Sequence, residues 1–313
     1  RALFWASEKG YGRAVDTLLR AGVNPNIQNS DKETALLVAS TNGHLGCVIA
    51  LMACSQTDLN IRGRGGRTAL SFACGGGYID ITMEFLHQQD CRVGEKDDSD
   101  ATALFWAARG GHTQIVLLLA QESTIIVNHG DKNGRTTLSW AAGDGMEDVT
   151  RALLGLQGID INLKDCSGKS PLLWAAGNGC TAVVRILLQD KRTDTASTDR
   201  DQRNSISWAS AGGYTDTLRV LLKSGYPGAD DRDIDGWSPL AWAVQNNSPD
   251  TVKTLLESKS INLEQGDHSG RTALSWAVQY GHPEVVKMLL AAGANPKSKS
   301  KTGTLVSIAT EFG

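Results

Sequence analysis

An all-α solenoid of stacked helix pairs is the fold this sequence predicts, and three observations predict it. An aromatic residue returns every 34 positions, at Phe72, Trp106, Trp140, Trp174, Trp208, Trp242 and Trp276. It closes the same short phrase each time, as in Thr68-Ala-Leu-Ser-Phe-Ala, Thr136-Thr-Leu-Ser-Trp-Ala, Ser170-Pro-Leu-Leu-Trp-Ala, Ser238-Pro-Leu-Ala-Trp-Ala and Thr272-Ala-Leu-Ser-Trp-Ala. A glycine follows, and then paired aliphatic residues at helical spacing. A fixed period of this size marks stacked supersecondary units, each burying its apolar face against its neighbours. With Trp5 and the weakened copies at Val38 and Ile308, the sequence holds ten full or partial units.

Each unit opens on a polar turn, Asp131-Lys-Asn-Gly-Arg or Asp267-His-Ser-Gly-Arg, with Gly134 or Gly270 at the tight bend. Thr136, Ser170, Ser238 or Thr272 comes next, with a side-chain oxygen suited to cap the first amides of a helix. Pro171 and Pro239 take the first helical position, where a missing N–H costs nothing. The short first helix carries an alanine pair, such as Ala107-Ala108 or Ala141-Ala142, which lets neighbouring helices approach closely. Gly43, Gly77, Gly111, Gly145, Gly179, Gly213 or Gly281 ends it, as a left-handed C-terminal residue would. The second helix reads Ile115-Val116 with Leu118-Leu119, or Val285-Val286 with Leu289-Leu290, one buried stripe. An Asn-bearing segment such as Ile159-Asp-Ile-Asn162 or Ile261-Asn262 leads to the next turn.

The unit resembles the ankyrin repeat, whose phrase Thr-Pro-Leu-His-x-Ala-Ala is followed by Gly-His; Gly43-His44, Gly111-His112 and Gly281-His282 keep that second element. The resemblance covers essentially the whole chain. It departs at the residue after Leu, where Ser139, Ser207 and Ser275 replace the family histidine, leaving its bond between repeats absent or remade by serine. The next position is overwhelmingly Trp. This Leu-Ser-Trp-Ala-Ala form resembles the arrays of fungal proteins, which implies the C-terminal sensor half of a nucleotide-binding receptor of the NACHT type. The first unit ends in Ala21-Gly22 and the ninth in Ala292-Gly293, as the family does, whereas most middle units carry an extra residue without that glycine.

One array spanning 1–313 is expected, cut within a unit at both ends: the chain begins in a first-helix phrase and stops after Thr310-Glu-Phe-Gly. A hydrophobic fraction of 41% argues for a folded chain, and a net charge of -3 gives no pull toward nucleic acid or an anionic membrane. No apolar run reaches the roughly 18 residues of a spanning helix. Cys47, Cys54, Cys74, Cys91, Cys166 and Cys180 show no CxxC spacing and fall at unrelated repeat positions, so thiols of a reducing compartment are expected, in cytosol or nucleus.

Catalytic and ligand motifs are set aside one by one. Gly168-Lys169-Ser170 imitates the end of a phosphate loop, but position 163 is Leu where that loop needs Gly. Asp231, Asp233 and Asp235 open like a calcium loop, yet its twelfth position is Trp242, and Asp233 falls in a column of turn aspartates with Asp131, Asp165, Asp199 and Asp267. His44, His112 and His282 share one repeat position and read as scaffold. No nucleophile–base pair stands out, so neither enzyme activity nor a cofactor or metal is expected; Arg109 and Asp144 are the remaining charged candidates.

In the ankyrin family, partners are held by turn tips and first helices along a concave face. The matching positions here contain a basic row, Arg67, Arg135, Lys169, Arg203 and Arg271, with Trp237 in the same column. That row suggests an acidic protein partner; the alternative is pairing with turn aspartates, worth little at a surface. After the alanine pair come Arg109, Asp144, Asn178, Gln245 and Tyr280, and small residues at Gly75-Gly76 and Ala211-Gly212. These small residues open the question of whether Trp106, Trp140, Trp174, Trp208 and Trp242 floor a groove or merely fill the hairpin. The leading expectation is a monomeric protein-binding or sensing array. A small-molecule or carbohydrate groove floored by the tryptophans is the alternative, and an enzyme in that groove the third.

Overall fold

A computed structural model describes residues 1–123, 125–225, 228–258, 261–300 and 303–304. The weakened phrase at Ile308 and the stretch from Thr310 to Gly313 lie outside them. Nine first helices alternate with nine second helices among the described residues. The first helices are α1 (Ala2–Glu8), α3 (Ala35–Thr41), α5 (Ala69–Gly76), α7 (Ala103–Arg109), α9 (Thr137–Gly143), α11 (Pro171–Gly177), α13 (Ser205–Ala211), α15 (Pro239–Gln245) and α17 (Ala273–Gln279). The second helices are α2 (Gly12–Arg20), α4 (Leu45–Met52), α6 (Ile79–Leu86), α8 (Thr113–Leu119), α10 (Glu147–Leu154), α12 (Thr181–Gln189), α14 (Thr215–Lys223), α16 (Pro249–Leu256) and α18 (Pro283–Ala291). Past α18, Lys299 and Ser300 pair antiparallel with Thr304 and Gly303.

Two compact units divide the chain, 1–141 with 148–159, and 142–147 with 160–313. In the first, α1, α3, α5 and α7 pack in succession, as do α2, α4, α6 and α8. In the second, α11, α13, α15 and α17 form one row and α12, α14, α16 and α18 the other. The first helices pack closely where small residues are buried, as with Ala107, Ala108, Ala175 and Ala176. The second helices close the core with Phe85, Leu119, Leu187, Leu221 and Leu255.

The boundaries follow local chemistry. Thr68, Thr102, Ser170, Asn204, Ser238 and Thr272 each accept the backbone N–H three residues on, the bond that starts a helix and is worth roughly 1 kcal/mol. Gly179 and Gly213 have φ of 72° and 68°. Asn247 occupies the same place in the eighth pair with φ 47°, a side chain whose short polar group tolerates this region better than most. The glycine after the second helix is left-handed at Gly22 and Gly293, and also at Gly225.

Asparagines tie successive loops together. Asn60 donates through Nδ2 to the Asp90 carbonyl at 2.8 Å and accepts from the Arg92 N–H at 2.8 Å. Asn162 repeats this with Arg192 and Asp194. His44 and His112 donate from Nε2 to the carbonyls of Glu8 (2.9 Å) and Gly75 (3.1 Å), at the ends of the preceding first helices. The serines that replace the family histidine do not remake a bond between repeats. Ser139 and Ser207 instead bond their own cap residues, Thr136 at 3.1 Å and Asn204 at 3.2 Å, because the short side chain reaches no farther than its own turn.

Candidate functional site: an interleaved cation–indole column

Each tryptophan is held by the turn that precedes its helix. Asp131 accepts the N–H groups of Asn133 (2.9 Å) and Arg135 (3.0 Å) on Oδ1, and the Trp140 indole N–H on Oδ2 at 3.0 Å. Trp106 with Asp97, Trp174 with Asp165, Trp208 with Asp199 and Trp242 with Asp233 repeat the bond, each at 2.9 Å. One carboxylate therefore shapes the hairpin and fixes the indole nine residues on. Burial pushes the Asp165 carboxyl up, but hydrogen bonds from Ser167, Lys169 and Trp174 outweigh it and hold the group below its ordinary value. The calcium-loop and phosphate-loop imitations dissolve into this architecture: Asp233 holds Trp242, and Gly168 is a hairpin tip with φ 83°.

Where the tryptophan is missing, so is the aspartate. Phe72 is preceded at nine residues by Gly63, and Val38 by Asn29, whose Oδ1 accepts the N–H groups of Asp31 and Glu33. The last pair breaks the bond differently. Arg271 Nε donates to Asp267 Oδ2 at 3.0 Å, and the Trp276 indole nitrogen is buried with no hydrogen-bond partner. This aspartate–tryptophan pairing is a structural element that motif reasoning passed over; the covariation of positions nine apart, read across units, carries it.

The basic row lies on the indole faces. In the first unit Arg67 sits between Phe72 (4.1 Å) and Trp106 (3.8 Å), and Arg135 lies 3.7 Å from Trp140. In the second unit Lys169 lies between Trp174 (4.5 Å) and Trp208 (3.4 Å), and Arg203 between Trp208 (4.7 Å) and Trp242 (5.2 Å). Trp237 continues the alternation between Trp242 (5.0 Å) and Trp276 (4.5 Å), and Arg271 lies 3.8 Å from Trp276. Cation–indole contacts of this kind contribute roughly 0.5–2 kcal/mol each, depending on desolvation.

Pairing with turn aspartates accounts for only part of the row. Arg271 pairs with Asp267, and Arg203 with Asp201. Arg67 and Arg135 instead donate Nη2 to the carbonyls of Ser71 (2.8 Å) and Ser139 (3.2 Å). Trp106, Trp140, Trp174, Trp208 and Trp242 are half-buried, whereas Trp276 is 5% exposed. Arg109, Asp144, Asn178, Gln245 and Tyr280 are exposed. Asn178 donates to the Gly143 carbonyl at 2.8 Å, and Tyr280 stacks on Trp276 at 5.4 Å.

Burial pushes the Cys74 thiol up to about 12, a hydrogen bond from Thr82 offsetting part of the effect, and burial raises Cys91 to about 12 as well. Thiols held protonated in this way are inert. Among the described residues no helix is long and apolar enough to cross a membrane.

A helical hairpin repeated in register, with its polar turn and first helix forming one edge, defines a repeat protein of the helix–turn–helix solenoid class. A family model described as Ankyrin repeats (3 copies) matches residues 3–97, 77–165, 138–231 and 227–300, and the chain belongs to the ankyrin-repeat family. Ankyrin repeats are generally protein–protein interaction modules. No curated protein matches the chain.

Proposed function

We propose that the chain is a recognition array that holds a protein partner along its hairpin tips and first helices, as the sensing part of a larger signalling receptor. The observation that carries this reading is the interleaved column itself. Half-buried tryptophans and arginines are the side chains that dominate binding energy at protein interfaces. Here their rotamers are already fixed by aspartate bonds and stacking, so a partner meets a surface whose ordering cost is largely spent. The row of cations at the hairpin turns favours an acidic partner. The receptor context is supported by the Leu-Ser-Trp-Ala-Ala form of the repeats, which resembles fungal receptor arrays. In this reading the array acts as a monomer in the cytosol or nucleus and does no chemistry itself.

A carbohydrate floor is less well supported, because the indole faces a sugar ring would cover already carry guanidinium, ammonium or aromatic neighbours. The test is site-specific photocrosslinking. A photoreactive residue at Asp144, Asn178 or Gln245 should capture the partner, while one at Arg185, Lys253 or Lys287 on the second helices should not. Capture from the second set alone sinks the proposal.

A further inference from the structure

The column is interrupted in the first unit. The residue five before each tryptophan supplies the cation at Arg67 and Arg135, but the intervening one is Ala101. Phe105 partly fills the gap, edge-on to Trp106 (5.4 Å) and Trp140 (5.6 Å). Arg109, from the far end of α7, then reaches over the same two indoles at 5.4 and 5.8 Å. Its equivalents are Glu8, Thr41, Gly75, Gly143, Gly177, Ala211, Gln245 and Gln279, so among these helices this is the unit in which that position carries a positive charge.

Arg109 is exposed and makes no hydrogen bond or ion pair among the described residues. With Arg67 it lines a recess of about 410 Å³ whose other walls include Phe72, Trp106, Gly75 and Gly110, and none of the lining residues is acidic. The recess depends on its glycines: a Cβ on Gly75 would lie 2.9 Å from Arg67 Nη2, and one on Gly110 would lie 2.5 Å from the His112 ring. Burial lowers the Arg67 guanidinium to about 10; Asp97 opposes this and Arg109 adds to it. Two cations thus share one concavity without an anion between them.

We propose that this recess is a carboxylate subsite, taking a glutamate side chain of an acidic segment in the bound protein. The carboxylate lies between Arg67 and Arg109, and the methylenes lie against Phe72 and Trp106. The Phe72 and Trp106 rings lie 4.1 and 3.8 Å from the Arg67 guanidinium, and Arg67 and Arg109 together offer the planar N–H donors that suit a flat carboxylate. The chain's net charge of -3 does not attract acidic peptides by itself, so binding there needs a local site.

The inference rests on the reading of the turn and first-helix edge as the binding surface, and the experiment separates the two. The full 313-residue chain is titrated calorimetrically at low salt with acetyl-hexaglutamate amide, with hexaglutamine and with inorganic phosphate. Hexaglutamate should bind and hexaglutamine should not. Arg109→Gln should weaken hexaglutamate about tenfold, the loss of one charge-assisted pair. Gly75→Ala should weaken it as well, and Lys223→Gln on α14 should leave it unchanged. An Arg109→Gln affinity equal to wild type, with loss instead in Arg203→Gln, overturns the subsite and leaves the wider surface standing. No binding by the wild type, or loss only in Lys223→Gln, overturns both. Phosphate that displaces hexaglutamate and binds more tightly in an Arg109-dependent way also overturns the carboxylate assignment.

Discussion

The Trp174 indole N–H donates to Asp165 Oδ2 at 2.9 Å, while Asp165 Oδ1 accepts the N–H groups of Ser167 (2.8 Å) and Lys169 (3.0 Å). One side chain thereby couples hairpin shape to the orientation of an aromatic ring nine residues away. Asp165→Asn keeps an oxygen for the turn and loses the acceptor for the indole. It should cost about 1.5–3 kcal/mol, the value of a hydrogen bond to a charged group. Trp174→Phe in a double-mutant cycle should return a coupling of about 1 kcal/mol. Hydrogen exchange over residues 160–180 reads the effect locally, as a repeat array requires. Strict additivity would deny the indole bond any role.

Acid should weaken the same turn. The Asp165 carboxyl is held below its ordinary value of 3.8 in the folded state, so its stabilising contribution is fully present above that value. It is lost as pH falls from there through the folded-state value. The urea midpoint of the wild type should fall more steeply below about pH 4 than that of Asp165→Asn, whose residue 165 no longer titrates. Equal slopes would place acid sensitivity elsewhere.

The unit boundaries were legible because capping and chain reversal are short-range. Thr272 caps an amide three residues on, and Gly281 needs only its own φ of 66°. The cation–indole column was not legible in the same way. Lys169 lies closer to Trp208 than to Trp174, a contact set by how neighbouring helices stack and which rotamer the lysine adopts. In sequence the basic row therefore reads only as contact with an acidic partner or as pairing with turn aspartates. The aspartate–tryptophan bond sits between these cases. It was written in the sequence by the Gly63–Phe72 and Asn29–Val38 exceptions, but only a comparison across units exposes it.

Trp237 tests whether alternation itself stabilises the second unit. It stands in the cation column between Trp242 and Trp276. Trp237→Ala should cost about 2–3 kcal/mol, less than a fully buried tryptophan because this one is half-buried. Trp237→Arg should recover more than half of that loss by restoring the guanidinium–indole arrangement of the other pairs. Chemical denaturation of the three proteins decides it, and an arginine variant no better than alanine would show that area alone matters.

Thiol chemistry should report burial in the repeats. Cys166 lies exposed at a hairpin tip, whereas Cys74 is fully buried and pushed up to about 12. At pH 8 a disulfide reagent followed by peptide mass mapping should modify Cys166 within the mixing time. Cys74 should react only as fast as its helix pair opens. Comparable rates at the two sites would contradict the packing of α5 against α6.

Gly179 and Asn247 occupy the same structural position with opposite tolerance. At Gly179, φ is 72° and an added Cβ would lie 2.5 Å from the Tyr214 ring of the next pair, so Gly179→Ala combines backbone strain with a clash. The strain alone is worth roughly 1–2 kcal/mol. Asn247, at φ 47°, bears its side chain in the same region, and Asn247→Gly should change stability by less than about 0.5 kcal/mol, since relief of strain offsets the added freedom of the unfolded chain. Changing Tyr214 to Ala alongside Gly179→Ala should recover the steric part but not the backbone part. Thermal melts of the single and double variants separate the two contributions, and a Gly179→Ala protein as stable as wild type would refute the left-handed assignment at the helix end.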